Sequence, residues 1–211
     1  MDVEIPLGGV RLGGTLCVPR DAKGVVLFAH GSGSSRNSPR NIFVSDVLVA
    51  EGFGTLLFDL LTVDEDLDRA ARFDIGLLAE RLVGATRWSR HDPTLAGLPV
   101  GYFGASTGAA AALVAAAAPD ASIGAIVSRG GRPDLAGRQS LAQVRAPTLL
   151  IVGGDDPVVI AMNREAHAHL RCEKELQIVP GATHLFEEPG TLEAVAALAS
   201  QWFGRWLHYA A

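Results

Sequence analysis

The sequence predicts an α/β protein built on a mostly parallel, doubly wound sheet that helices cover on both faces. Short, continuous apolar runs recur along the chain, as expected for strands that are buried on both faces. Segments with helical periodicity alternate with these runs, and this alternation favours a parallel sheet because parallel neighbours need long crossover connections. A chain of 211 residues can bury a sizeable core, so we expect one domain spanning residues 1–211.

The chain begins with a ribbon and a first strand–helix unit. Residues 3–18 hold two apolar segments separated by glycines, which suits an antiparallel hairpin. Residues 25–29 are apolar throughout and predict a buried strand. A helix follows, because Ser38 and Pro39 are typical of an N-cap and a first helical position, and Gly52 is typical of a helix end.

The remaining elements repeat this alternation. Helical patterns end before Pro93 and Pro119, and an acidic stretch at residues 64–68 is expected to be a solvated loop or a helix start. Residues 128–146 are expected to be a long irregular segment. The further strands are predicted at residues 55–60, 100–103, 123–127, 148–152 and 175–179, and the last two helices at residues 159–170 and 191–207.

Composition and charge exclude several functional classes. The net charge is -5 and no basic cluster occurs, so no nucleic acid partner is expected. The N-terminal segment does not resemble a secretory signal, and the small-apolar run at residues 109–118 is shorter than the roughly 20 residues that span a bilayer. We therefore expect a cytoplasmic protein without a membrane partner. Cys17 and Cys172 lie in unrelated segments, so we expect free thiols, no disulfide, no metal and no cofactor.

The pentapeptide GASTG, centred on Ser106, lies between the strand at residues 100–103 and an alanine-rich helix. A serine at the vertex of such a sharp turn needs small residues two positions away on each side, because a Cβ atom there would collide with the adjoining strand or helix. Gly104 and Gly108 meet this need, although a purely structural turn could contain the same pattern. The strand–turn–helix context favours a nucleophile elbow, and here the chain resembles the α/β-hydrolase superfamily.

An acid and a base follow Ser106 in the chain order Ser, Asp, His, each directly after a predicted strand. His184 would take the proton of the weakly nucleophilic Ser106 hydroxyl, while a carboxylate would hold the imidazole in the required tautomer. The superfamily pattern Gly-x-x-Asp-x-x-Val points to Asp156 as this acid, whereas Asp155 suits a loop or helix-capping role. The other histidines lack a partner motif, and His30 is expected to be a structural loop residue.

The loop HGSGSS at residues 30–35 follows the first parallel strand. Its Gly-x-Gly partly matches a dinucleotide-binding fingerprint, but Arg36 stands where a third glycine is required. The His-Gly-x sequence is similar to the superfamily's pattern, which implies that the backbone N–H of Ser32 contributes to an oxyanion hole. The N–H of Thr107, directly after the nucleophile, is the second predicted donor.

Three features narrow the resemblance to the dienelactone-hydrolase-like branch of the superfamily. They are the turn GGDDPVV, the stretch PGATHLFEEPG that contains His184, and a short chain without an obvious lid domain. The likeness extends from the HGSGSS loop to the last helix and implies an α/β-hydrolase fold without a large lid. One departure is that dienelactone hydrolases carry cysteine in the elbow, whereas this chain has Ser106, so their lactone specificity is not carried over.

Together these residues predict a metal-independent serine hydrolase that cleaves small carboxylic esters through an acyl-enzyme. A thioesterase or a lactone hydrolase is an alternative, because all three reactions pass through a tetrahedral oxyanion. A non-catalytic hydrolase-like binding protein is an alternative of another class. The expected partner is a small-molecule ester, and a homodimer is an oligomeric state that the sequence allows.

Two arginines after the strand predicted at residues 123–127 could bind an anionic part of the substrate. The planar guanidinium of Arg129 or Arg132 could grip a carboxylate or a phosphate with two hydrogen bonds. Alternatively, both are solvated loop charges or pair with Asp134.

Overall fold

The computed structural model describes residues 1–208, which form one eight-stranded sheet with helices on both faces. The strands are β1 (Asp2–Leu7), β2 (Val10–Cys17), β3 (Val25–Ala29), β4 (Gly54–Phe58), β5 (Val100–Ala105), β6 (Ala125–Arg129), β7 (Thr148–Gly153) and β8 (Lys174–Val179). Their order across the sheet is β1-β2-β4-β3-β5-β6-β7-β8. β1 and β2 form the antiparallel hairpin expected from the sequence, β2 joins β4 antiparallel, and the other neighbours are parallel. The predicted doubly wound α/β architecture is therefore confirmed.

Helices occupy the connections between the parallel strands. They are α1 (Pro39–Ala50), α2 (Val63–Leu67), α3 (Arg69–Phe73), α4 (Ile75–His91), α5 (Thr107–Ala116), α6 (Gly137–Gln143), α7 (Pro157–His169) and α8 (Thr191–Trp206), with a 3₁₀ turn at Pro133–Ala136. α1 packs on α8, and α4 packs on α5. The two pairs contribute to different apolar clusters, which lie against the sheet on its two sides.

The central strands explain why the sequence predicted the sheet so closely. All residues of β3 to β7 are buried, and burial on both faces requires the continuous apolar runs found in the sequence. The alanine-rich α5 is buried on nearly all sides, because it lies directly behind the central strands. Small side chains allow this close approach of helix and sheet.

The segment at residues 128–146 differs from the irregular loop expected. β6 begins and ends two residues later than predicted, at Ala125–Arg129, so that Arg129 is a strand residue. The 3₁₀ turn and α6 follow it, each too short to show a helical period in the sequence. The acidic stretch, expected to be a solvated loop or a helix start, contributes to a short helix, α2, whose Thr62 N-cap and Glu65 form a capping box.

Within the part of the chain that the structure describes, no helix combines the length and the apolar character that crossing a bilayer requires.

Candidate active site

The candidate site is a cavity of about 250 Å³ beyond the carboxyl ends of the parallel strands. Ligands bind at this edge in open α/β sheets. The cavity brings together residues from the loops after β3, β5, β6 and β8 and from the first turn of α1. Its lining consists of Gly31, Ser32, Ser34, Ser38, Arg40, Asn41, Ala105, Ser106, Arg129, Gly130, His184 and Leu185.

Ser106 stands at a strained turn between β5 and α5. Its backbone has φ 50° and ψ −120°, and positive φ is unfavourable for a residue with a side chain. A Cβ atom on Gly108 would come within 2.0 Å of the carbonyl oxygen of Ala29, and one on Gly104 within 2.5 Å of the Cα atom of Ala109. Both glycines therefore have the steric role that the elbow motif predicts.

The segment after β6 holds the turn in place. The backbone N–H of Ser106 donates to the carbonyl of Arg129 at 3.3 Å, and the carbonyl of Ser106 accepts from the N–H of Arg132 at 3.0 Å. Ala105 and Arg129 are also paired in the β5–β6 register. The position of Ser106 is therefore fixed relative to the end of β6.

His184 and Asp156 are hydrogen-bonded. Nδ1 of His184 lies 2.8 Å from Oδ2 of Asp156, and a carboxylate only accepts, so Nδ1 carries the proton. Asp156 is also the N-cap of α7, where its Oδ1 accepts from the N–H of Val159 at 3.3 Å. Asp155 is exposed, and its backbone N–H donates to Ala182. The capping role expected for Asp155 therefore belongs to Asp156, which directly precedes Pro157, the first residue of the helix.

The turn that carries His184 is tied to the next segment by a carboxylate. Glu188 accepts from the backbone N–H of Thr183 at 3.0 Å and from its hydroxyl at 2.6 Å. On the other side, a Cβ atom on Gly130 would lie 2.9 Å from the carbonyl oxygen of His184. Only a residue without a side chain lets the two loops approach this closely.

Ser32, one of the two residues predicted to supply an oxyanion donor, is hydrogen-bonded to the side chain of the other, Thr107. The backbone N–H of Ser32 donates to Oγ1 of Thr107 at 2.9 Å, across 75 positions of sequence. Gly31 lies beside them, and a Cβ atom there would come within 3.1 Å of Cβ of Ser106. The loop after β3 is thus packed directly against the elbow, and the oxyanion roles of Ser32 and Thr107 stay predictions.

His30 is buried and connects the loop after β3 to the end of β4. Its Nε2 accepts from the backbone N–H of Leu60 at 3.0 Å, and its Nδ1 lies 2.9 Å from the carbonyl oxygen of Gly31. Because Nε2 accepts, the proton of the neutral ring is on Nδ1, which donates to Gly31. Burial lowers the pKa of His30, against the smaller opposing effect of its hydrogen bond to Gly31. This geometry agrees with the structural role expected for it.

The structure separates the two arginines singled out in the sequence. Arg132 lies outside the cavity lining and forms two hydrogen bonds with Asp134, at 2.9 and 2.8 Å. These bonds raise the pKa of Arg132. Arg129 lines the cavity and is only 6% exposed. The geometry therefore favours Arg129 over Arg132 as a substrate contact.

Several lining residues carry no motif and were not predicted from the sequence. Arg40 and Asn41 lie in the first turn of α1, and Leu185 directly follows His184. The Ser38-Pro39 pair signals where α1 begins and so could have drawn attention to the next two residues. Over residues 1–208, no group of three or more His, Cys, Asp or Glu side chains could hold a metal ion.

Comparison with known proteins places this geometry in a family. The model of the dienelactone hydrolase family matches residues 12–209. The crystal structure of a dienelactone hydrolase from Anabaena variabilis is similar, with 58% identity and a TM-score of 0.95, over 99% of this chain and 98% of that chain. Est1E from Butyrivibrio proteoclasticus shares the fold, with 15% identity and a TM-score of 0.82, over 97% of this chain and 98% of that chain.

A curated protein from Mycobacterium tuberculosis strain H37Rv, provisionally named a phosphoribosyl transferase, is 60% identical over 202 residues. The match covers 96% of this chain but 45% of that protein, so the chain spans less than half the length of this relative. The family match and the structural neighbours agree with an eight-stranded, mostly parallel sheet of the α/β-hydrolase type. The chain belongs to the dienelactone hydrolase family of α/β hydrolases.

Proposed function

We propose that this protein is a serine hydrolase that cleaves small carboxylic esters through an acyl-enzyme formed on Ser106. The observation that carries the proposal is the 2.8 Å hydrogen bond between His184 and Asp156, with His184 and Ser106 lining one cavity. The chain order Ser106, Asp156, His184, with each residue in the segment between a strand and the helix that follows it, further supports the proposal.

In the first step Ser106 attacks the ester carbonyl. Because Nδ1 of His184 keeps its proton and donates a hydrogen bond to Asp156, Nε2 of the neutral ring is free to accept the Ser106 hydroxyl proton. A bond forms between Oγ and the carbonyl carbon, and the carbonyl electron pair moves to oxygen. His184 then gives its proton to the departing alcohol as the C–O bond breaks, and Asp156 stabilises the imidazolium in between.

The negatively charged oxygen of the tetrahedral intermediate is stabilised by hydrogen-bond donors that are already in position. The N–H of Thr107 is at the first position of α5, where helix N–H groups have no partner within the helix and the dipole favours negative charge. We assign the second donor to the N–H of Ser32, which in the free protein donates to Oγ1 of Thr107. The oxyanion would take over this N–H, so the Thr107 hydroxyl keeps it oriented until substrate arrives.

Water completes the cycle by the same route. His184 removes a proton from water, the hydroxide attacks the acyl carbon, and the returning proton restores the Ser106 hydroxyl as the acid leaves. The cavity of about 250 Å³ suits a short acyl or alcohol chain rather than a long lipid chain.

Lactone hydrolysis is the second candidate, and it is supported by the family match and by the 58% identical protein that is named a dienelactone hydrolase. In lactone opening the same bond to Oγ of Ser106 forms and the same kind of C–O bond breaks, but the released alcohol remains part of the acyl group. Thioesters would follow the same course with a thiolate leaving group. The transferase activity named for the mycobacterial relative is not proposed, because the family model that matches this chain is that of a hydrolase.

The experiment is a fluorophosphonate probe read by intact mass, together with a panel of short esters, thioesters and lactones. We expect one adduct on wild-type protein, no adduct on a folded Ser106→Ala variant, and turnover only with the wild type. A probe-inert wild type that is folded and hydrolyses nothing would support the non-catalytic binding protein instead. Adducts on a residue other than Ser106 would contradict the assigned nucleophile.

A further inference from the structure

The cavity wall formed by the end of β6 and the start of α1 carries a positive charge on Arg129 that no ion pair within residues 1–208 neutralises. Nη2 of Arg129 donates to Oδ1 of Asn41 at 3.4 Å, while Nε is buried and has no hydrogen-bond partner. Within residues 1–208, Arg129 forms no ion pair, and its guanidinium lies 6.0 Å from the centre of the Phe186 ring. Burying an unpaired charge is unfavourable, so a guanidinium in this state is suited to an external anion.

A second guanidinium adds to this charge. Burial, together with the smaller effect of the neighbouring Arg40 charge, lowers the pKa of Arg129 to about 10, so Arg129 remains protonated at neutral pH. Nε of Arg40 is also buried without a partner, and its Nη1 pairs at 3.0 Å with Glu187, whose side chain is 62% exposed. The carboxylate of Glu187 therefore pairs with Arg40 and leaves the charge of Arg129 without an ion pair within residues 1–208.

The start of α1 contributes to the same wall. This helix has 12 residues, and its first turn contains no acidic side chain. Ser38 caps it by accepting from the N–H of Asn41, and both residues line the cavity. The N-terminal end of a helix favours anions through its dipole, although here Pro39 has no N–H and the N–H groups of Asn41 and Ile42 donate to Ser38.

We propose that this wall binds the phosphate group of a phosphorylated ester, an inference that rests on the proposed function of the same cavity. Donor side chains from two elements line this wall, Arg129 at the end of β6 and Ser38 and Arg40 at the start of α1, and this arrangement suits the oxygens of a tetrahedral dianion. A carboxylate offers two oxygens in one plane, whereas a phosphate group offers three that can reach donors on both elements. The bound phosphate would position the ester carbonyl at Ser106.

The test compares three butyrate esters whose alcohol parts have equal length and end in a methyl, a carboxylate or a phosphate group. We expect kcat/KM for the phosphate ester to exceed that for the neutral ester by about 10- to 100-fold, the range of a charge-assisted hydrogen bond, mainly through KM. Arg129→Met should remove this preference and Arg40→Gln should reduce it. Arg138→Met is the matched control, because Arg138 is exposed and pairs with Glu165.

Phosphate binding is measured separately, by titrating inorganic phosphate into folded Ser106→Ala protein and following it by phosphorus NMR. Binding that Arg129→Met abolishes would support the anion site even if no ester were hydrolysed, in which case the proposed function would fail alone. The inference is overturned by equal kcat/KM for the three esters, by a preference for the carboxylate ester, or by phosphate binding that Arg129→Met leaves unchanged.

Discussion

Asp156 holds His184 through one carboxylate oxygen and the first turn of α7 through the other. Oδ2 lies 2.8 Å from Nδ1 of His184, and Oδ1 accepts from Val159 at 3.3 Å. The helix therefore orients the carboxylate, and the carboxylate orients the imidazole. Its neighbour Asp155 shares neither contact, so the two aspartates form a matched pair for mutagenesis.

Replacing Asp156 by Asn should lower kcat by about 10⁴-fold, the effect of losing the same role in other triads. An amide can present its NH₂ group to Nδ1, which would place the ring proton on Nε2 and prevent that atom from accepting the serine proton. Asp155→Asn should change kcat little, since its side chain is exposed. Kinetics of both variants on one ester decide the matter, and a larger loss in Asp155→Asn would refute the assignment of the acid.

Gly108→Ala should destabilise the protein by about 3 kcal/mol or more, because the new methyl group would meet backbone atoms on β3 that cannot move away easily. Gly204 offers the control, since it lies in α8 with open space around its Cα. Gly204→Ala should stabilise by about 0.5–1 kcal/mol through helix propensity. Urea unfolding of the two variants measures both effects, and equal free energies of unfolding would contradict the steric account of the elbow.

Tyr102 and Thr86 form a buried hydrogen bond, and removing one hydroxyl or the other should lower the free energy of unfolding by different amounts. The Thr86 hydroxyl donates to the Leu82 carbonyl at 2.8 Å, so the Tyr102 hydroxyl donates to Thr86 across 2.7 Å. Thr86→Val leaves the Tyr102 hydroxyl buried without a partner and should lower the free energy of unfolding by about 1–3 kcal/mol. Tyr102→Phe leaves Thr86 bonded to Leu82 and should lower it by about 1 kcal/mol. Denaturant curves showing the reverse order would contradict this hydrogen-bond assignment.

Stability should fall on acidification partly through His30. Its pKa in the folded protein is lowered by burial, so the unfolded chain binds more protons once the pH drops below about 6.5, the ordinary pKa of histidine. The contribution of His30 is complete above that pH and is lost toward the lower folded pKa, at up to about 1.4 kcal/mol per pH unit. The unfolding free energy of His30→Gln should therefore depend less steeply on pH below 6.5.

His167→Gln is the comparison, because burial also lowers the pKa of His167 but its side chain is more exposed. A slope in His30→Gln as steep as in wild type would count against this explanation.

Local sequence was sufficient for the sheet and for the elbow, because buried apolar runs and paired glycines are readable within a few residues. Asp156 and His184 were predictable because each follows a strand end. The burial of Arg129 could not be predicted from local sequence, because it depends on pairing with Ala105 and on contact with Asn41, which is 88 positions away. The bond between Ser32 and Thr107 is equally non-local. The segment after β6 was missed for a different reason, namely that its helical pieces are too short for a periodic pattern.

The pairing of Ala105 with Arg129 fixes the distance between the backbone at the nucleophile and the backbone at the proposed anion-binding residue. Ala105 directly precedes Ser106, and neighbouring strands are about 4.8 Å apart, so the nucleophile and the proposed anchor are set apart by backbone geometry. Backbone motion can change this separation little, because the N–H of Ser106 donates to the carbonyl of Arg129 and the carbonyl of Ser106 accepts from Arg132. If Arg129 binds the anionic group, kcat/KM should therefore be highest for one spacing between that group and the ester carbonyl, and should fall when a methylene is added or removed.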